Sequence, residues 1–178
     1  MAMQSEISSR EMPPRADLDL TALVTAGRGH EAMGPAARMF AARLAGALSG
    51  PVLWVQEARA WVQLCPQGLA PIFDPARLIL VSPPDRLALL QVMEEALRSP
   101  APALVVGELS RAPDLTESRR LQLAAGTGGG RGLCLIAGET AQSNAAETRW
   151  LCHSLPSGGQ RFELIKNKRG KLGAWEVM

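Results

Sequence analysis

The chain has 178 residues, 47% of them hydrophobic, which suffices for one domain with a sizeable buried core. Aromatic residues make up only 4% and tyrosine is absent, so alanine and branched aliphatic side chains must fill the interior. A net charge of +2 gives too weak an overall field to imply nucleic-acid or membrane binding, so any such surface must be a local patch.

Residues 1–17 are polar, carry Pro13 and Pro14, and read as a flexible tail or a strap on the surface of a single domain spanning 18–178. The opening segment has no apolar core, so neither a signal peptide nor a membrane anchor is expected there. No run of about 18 apolar residues follows, and a soluble, cytoplasmic protein is the expectation. The first strand signal is a short edge strand around His30–Met33. GPAARMFAARLAGALSG then places Ala37, Phe40, Ala41, Leu44 and Leu48 on one helical face, and Gly50 and Pro51 stop that helix.

PVLWVQ (51–56) has the compact apolar pattern of a strand buried on both faces. A turn or two of helix is expected around Ala58–Leu64, and RLILVSP (77–83) reads as a second buried strand. In DRLALLQVMEEALRSP the apolar residues Leu87, Leu90, Met93 and Leu97 recur at helical spacing, with Asp85 as N-cap and Pro100 closing the element. APALVVGEL (101–109) is a third strand. DLTESRRLQLAAG forms a helix capped by Asp114 or Thr116 and ending at Gly126, and GLCLIAG (132–138) is a fourth strand. This alternation predicts right-handed crossovers and a mostly parallel sheet flanked by helices. TRWLCHSLP, RFELIKN and KLGAWEVM lack intervening helices, with KRG as a hairpin turn, and add a C-terminal antiparallel extension.

The glycine run GTGGGRG (126–132) follows a helix and opens a strand. A phosphate-cradling loop needs the reverse order, because the helix N-terminus supplies the N–H groups, so the run reads as a helix stop and flexible connector. A phosphate loop should instead sit within 27–42. GRGHEAMGPAARMFAA offers Gly34 and Pro35 there but neither the lysine nor the Ser/Thr that Mg-ATP requires, and Arg28 and Arg38 cannot supply a metal ligand. Cys134 and Cys152 read as buried inert thiols, and three cysteines without CxxC spacing do not make a metal site. His30 and His153 read as packed or surface imidazoles, and Glu94 and Glu95 as a solvated helix face. Trp54, Trp61, Trp150 and Trp175 are spread along the chain with no stacking platform in view.

Glu108 ends a central parallel strand, where ligands of open α/β sheets bind; the alternative is a capping or salt-bridging role. Arg161, Lys166, Lys168, Arg169 and Lys171 crowd the terminal hairpin, opposed mainly by Glu163, and Arg119 and Arg120 add a pair on the preceding helix. The hairpin either contacts DNA phosphates or an acidic partner, or serves as a solvated guard on a sheet edge.

From residue 27 onward, the order of these segments resembles the core of the RecA recombinases. GRGHEAMGP looks like the strand and loop that open the RecA nucleotide site, shortened. PVLWVQEARA looks like the strand ending in the catalytic glutamate, with Ala58 in that place and Glu57 one residue early. ALVVGEL looks like the Walker B strand, with Gly107 where its aspartate is expected. RFELIKNKRGKLGAWEV resembles the final hairpin, and its Lys166–Lys168 triplet matches the hairpin that lies at the RecA filament interface. A closer similarity is to the ImuA family of RecA-like proteins, through the strand Asp74–Val81, the VVGEL strand, the LTESRRLQLAA helix and the TRW segment.

The ImuA resemblance implies a bacterial accessory protein of SOS-induced mutagenesis and translesion synthesis, not an enzyme and without a cofactor. The implied partners are an ImuB-like polymerase relative, RecA and an error-prone replicative polymerase. DNA binding and a homo-oligomer stay open, and no membrane contact is implied. Two other readings compete: a SulA-like inhibitor of cell division that binds FtsZ, and a weak RecA-like ATPase or DNA-binding protein. The segments matching the two RecA DNA-binding loops, SRAPD and ETAQSNAAE, are short, which argues against RecA-like filaments on DNA.

Overall fold

In a computed structural model, residues 14, 15, 17–60 and 62–178 are described; most of the expected tail, and Trp61, lie outside them. The strands are β1 (Pro14–Arg15), β2 (Arg28–Met33), β3 (Val52–Gln56), β4 (Leu78–Val81), β5 (Leu104–Leu109), β6 (Arg131–Ile136), β7 (Thr148–Ser154), β8 (Gln160–Asn167) and β9 (Gly173–Val177). They form one sheet in the order β1-β9-β8-β7-β2-β6-β5-β3-β4. Strands β2 to β6 pair in parallel, β7 joins β2 in parallel, and β7-β8-β9 are antiparallel. The α/β class, the mostly parallel sheet between helices and the antiparallel C-terminal strands are as the sequence pattern predicts. Within the expected tail, Pro14 and Arg15 pair with Ala174 and Trp175.

Helices α1 (Leu20–Leu23) and α2 (Ala37–Ala47) cover one face of the sheet, and α4 (Arg86–Arg98) and α5 (Leu115–Gly128) the other; α3 (Pro66–Leu69) is a single turn. On the α2 face, Phe40 packs against Trp150 and Phe162 at ring distances of 4.9 and 5.1 Å, and Trp150 meets Trp175 at 5.6 Å. Tryptophans spread in sequence thus meet in the core. Against α4 and α5, Leu89, Met93, Leu97, Leu121 and Ala125 bury Val105, Cys134 and Ile136. Asp85 caps α4 through the Ala88 N–H, and Asp114 and Glu117 form a reciprocal capping box on α5, each cap worth about 1 kcal/mol. Arg86 reaches Glu117 at 2.7 Å and ties the two helix starts together.

Six expectations need correction. The strand around His30–Met33 is central, not an edge: its polar residues are buried because each finds a buried partner. Among the described residues of 58–64, which leave out Trp61, no helix forms, and the one-turn α3 follows. Strand β4 is the outer edge, with Ile79 and Leu80 exposed, rather than a buried strand. On α4, Leu87 faces solvent while Leu89 is buried, and Glu94 is buried rather than solvated because Arg98 and Arg120 compensate its charge. Finally, α5 continues through Gly128 before Gly129, at φ 78°, ends it in the left-handed conformation.

Candidate functional site at the carboxyl ends of the parallel strands

The carboxyl ends of β2, β3, β5 and β6 open into a cleft of about 610 Å³ lined by Gly34, Pro35, Arg38, Gln56, Glu108 and Ile136, among others. In parallel sheets this edge is where ligands bind. Its floor is a polar cluster assembled by register. Gln56 and Glu108 are neighbours on adjacent strands, Trp54 lies two residues before Gln56, and Arg38 projects from the first turn of α2. Glu108 accepts from four donors: Arg38 Nε (3.0 Å) and Nη2 (2.7 Å), Trp54 Nε1 (2.9 Å) and Gln56 Nε2 (3.1 Å). Both oxygens of the carboxylate are therefore engaged, Oε1 by Arg38 Nε and Oε2 by Arg38 Nη2, in the bidentate manner that arginine favours. Arg38 and Gln56 also donate to the Val62 carbonyl, and Gln56 Oε1 accepts the Leu64 N–H, so the turn after β3 is pinned over the cluster. Glu108 has a salt-bridging role here, one of the two readings open from sequence.

The turn between β2 and α2 is equally committed. Gly34 has φ 95°, and a Cβ there would lie 2.4 Å from the Cys152 carbonyl oxygen. The Ala36 N–H donates to that same carbonyl (3.1 Å), and the Ala37 N–H to Gly34 O (3.1 Å). Amides that would face an anion at a phosphate loop are instead spent on the chain's own backbone. Ala36, at the helix N-cap, has no side-chain oxygen to offer. Ala58 is held by its N–H to Pro83 O (2.9 Å). Gly107 lies on the α4 face of β5, and a Cβ built there would stand 2.1 Å from Met93 Sδ. A larger residue at 107 meets a packed thioether, not an empty socket.

A second polar assembly binds the connection between β6 and β7. Arg149 pairs with Glu31 (2.8 Å), both side chains all but sealed from solvent, and donates to the carbonyls of Thr140 (3.3 Å) and Gln142 (2.7 Å). Asn144 donates to Glu31 and to Pro113 O, joining the SRAPD and ETAQSNAAE segments. Gln122 and Ser118 of α5 bind Ala145. His30 sits beside this assembly, its Nε2 bonded to Thr25 O (3.0 Å) and its Nδ1 to Thr148 Oγ1 (2.7 Å). The Thr25 carbonyl can only accept, so Nε2 carries the proton and Nδ1 accepts from the hydroxyl. Burial, aided by the positive charges of Arg131 and Arg28, pushes the imidazole down to about 4, against the Thr25 hydrogen bond. Burial likewise raises the Cys134 and Cys152 thiols, which leaves them unreactive.

The basic residues singled out in the sequence are brought close together only in part. Lys166 Nζ donates to Asn144 O (2.9 Å) and Lys168 Nζ to Ala145 O (2.6 Å), while Arg169 pairs with Glu147 (2.9 Å). These three thus clamp the β6–β7 connection. Burial, with Arg149 and Lys168 nearby, holds the Lys166 amine below its ordinary range. Arg161 lies between Glu163 (2.7 Å) and Glu176 (3.1 Å) on the antiparallel strands. Lys171 is exposed on the turn. Arg119 is exposed on α5, and Arg120 pairs with Glu94 at 2.7 Å. Arg38, Trp54 and Gln56 were not legible as partners of Glu108, nor Glu31 and Arg149 as a pair. Alternation along β3, which places Trp54 and Gln56 on one face, was the available signal.

No protein-family model matches the chain. Two curated relatives do, each named Protein ImuA, from the NA1000 / CB15N and the ATCC 19089 / CIP 103742 / CB 15 strains of Caulobacter vibrioides. Each is 35% identical over 147 residues, covering 71% of this chain and 59% of the relative. The chain therefore spans a little under three fifths of the relatives' length. Over the part that aligns, it belongs to the ImuA family.

Proposed function

We propose that this chain is a non-catalytic accessory protein of damage-induced mutagenesis, a RecA-type scaffold that acts by docking other proteins. The observation that carries this reading is the cluster at the strand ends. A nucleoside triphosphate needs free backbone amides, a cation for its outer phosphates and a magnesium ligand. Here the amides of Ala36 and Ala37 are bonded internally, the cation Arg38 is neutralised by Glu108, and Met93 fills the space beside Gly107. A phosphate entering the cleft would approach a carboxylate that already holds the nearest guanidinium. Family membership supports the cellular context, and the partners implied by it are an ImuB-like protein, RecA and an error-prone replicative polymerase.

Titration of the purified chain with Mg-ATP, alongside co-purification with those three proteins, tests the reading. The expected result is no saturable nucleotide binding in the micromolar range and retention of at least one partner without nucleotide. Micromolar Mg-ATP affinity would overturn it, as would turnover of ATP that Glu108→Gln abolishes.

A further inference from the structure

Four cations gather at the amino ends of the parallel strands, away from the cleft. Arg28 and Arg131 open the neighbouring strands β2 and β6 as register partners. On the other side of β2, Gly29 O accepts the Glu147 N–H and Glu147 O accepts the Lys168 N–H, which brings Lys168 and Arg169 into the same row. Neighbouring chains in a sheet lie about 4.8 Å apart, so the row from Arg131 to Lys168 spans about 14 Å. Among the described residues, the ion pairs of these cations involve one carboxylate, Glu147, 2.9 Å from Arg169 Nε and 3.8 Å from Arg28 Nε. Arg131 Nε and Lys168 Nζ are bonded to the carbonyls of Val24 and Ala145, which accept a hydrogen bond but cancel no charge. Elsewhere arginines meet carboxylates of their own, as Arg38 meets Glu108 and Arg149 meets Glu31. The row therefore carries more positive charge than the +2 of the whole chain. From it we infer that the amino ends of these strands bind the phosphodiester backbone of a nucleic acid, without reading its sequence.

Three features favour a phosphate backbone over an acidic protein surface. One DNA strand presents a phosphate every ~3.4 Å of axis, so the row faces about four of them. Three of the four cations are arginines, whose planar guanidinium groups take phosphate oxygens in pairs. Protein interfaces centre on apolar anchors, yet none of the exposed large apolar side chains lies within 26–28, 129–131 or 168–170. Gly27, Gly129 and Gly170 instead keep the surface between the cations low. Those segments hold no aromatic residue either, so bases are neither stacked nor read. Glu147, buried between Arg28 and Arg169, holds both guanidinium groups in place before a ligand arrives, while the two side chains stay 37% and 62% exposed. This surface and the cleft lie at opposite ends of the strands, so nucleic-acid contact and the protein docking proposed above stand or fall separately.

Fluorescence anisotropy of a short labelled DNA duplex, titrated with the full chain over a series of salt concentrations, tests the assignment. Expected is weak binding, on the order of micromolar at about 50 mM salt, with the logarithm of affinity falling against that of salt at a slope of about −3. Arg28→Gln and Arg169→Gln should each weaken binding at least about threefold and flatten the slope by about one, whereas Arg169→Lys keeps the charge and the slope. Arg119→Gln, which removes an exposed charge from α5, should leave both unchanged. Unfolding midpoints of the variants separate lost contact from lost folding, and the slope of the parent chain is read without any variant. No binding at the lowest salt, or a slope near zero, overturns the inference, as does an equal loss from Arg119→Gln. Poly-glutamate of matched charge that binds more tightly than the duplex assigns the row to an acidic protein and overturns it as well.

Discussion

Two arginine–glutamate pairs serve this fold in opposite ways. Arg38–Glu108 lies in an open cleft with side chains 35% and 16% exposed, whereas Arg149–Glu31 is closed in at 6% and 2%. Both are short, and both carboxylates have further donors. Water can replace the first arginine if it is lost; nothing can replace the second. Identical chemistry thus gives a locally tunable cluster at one place and a structural rivet at the other. The rivet also fixes the connection between β6 and β7, whose carbonyls Arg149, Lys166 and Lys168 hold from three directions.

Breaking the buried pair should have the largest effect. Arg149→Met leaves the Glu31 carboxylate buried with only Asn144 for company, at an expected cost of about 3–5 kcal/mol, read from the midpoint of urea unfolding. A cost under about 1 kcal/mol would mean that water reaches Glu31 after all. Acidification probes the same region. Native His30 stays neutral down to about pH 4, while an unfolded histidine protonates near 6.5. The unfolded chain therefore takes up the proton first: the contribution is complete above pH 6.5 and is lost as pH falls toward 4. The full loss is on the order of 3 kcal/mol. A His30→Gln variant should show a flatter dependence of its unfolding midpoint on pH in that window; equal slopes would count against it. The smallest effect belongs to the open pair. Glu108→Gln keeps an acceptor for Arg38 and Trp54, so a cost within about 1 kcal/mol is expected in the same unfolding assay. A cost matching that of Arg149→Met would erase the distinction between the two pairs.

Much of the layout was legible in the sequence because helices α2, α4 and α5 carry clear apolar periodicity and the last two carry caps, Asp85 and Asp114. What misled was polarity without its partners. His30 and Glu31 make β2 look like an edge, since nothing nearby in sequence announces that Thr148 and Arg149 will meet them from more than a hundred residues away. The reverse error befell β4: LILV reads as buried, yet no element covers its far side among the described residues. Burial of a strand depends on its rank in the sheet, which local pattern does not encode. At the cleft, Glu108 was visible by its position at a strand end, but its four donors come from two other elements, α2 and β3, and only folding assembles them. The hairpin cations were visible as a cluster, while their inward grip on the carbonyls of Asn144 and Ala145 was not.

The thioether of Met93 against Gly107 bears on how such a chain can change over time. An aspartate introduced at position 107 alone would overlap a buried sulfur 2.1 Å from its Cβ and bring a charge into an apolar layer, so the variant would lose stability before gaining anything. A smaller side chain at 93 on its own would leave a void beneath the strand. Each step is unfavourable without the other. A carboxylate at this strand end therefore calls for coordinated changes at positions 93 and 107, and the packing between α4 and β5 holds the two positions together.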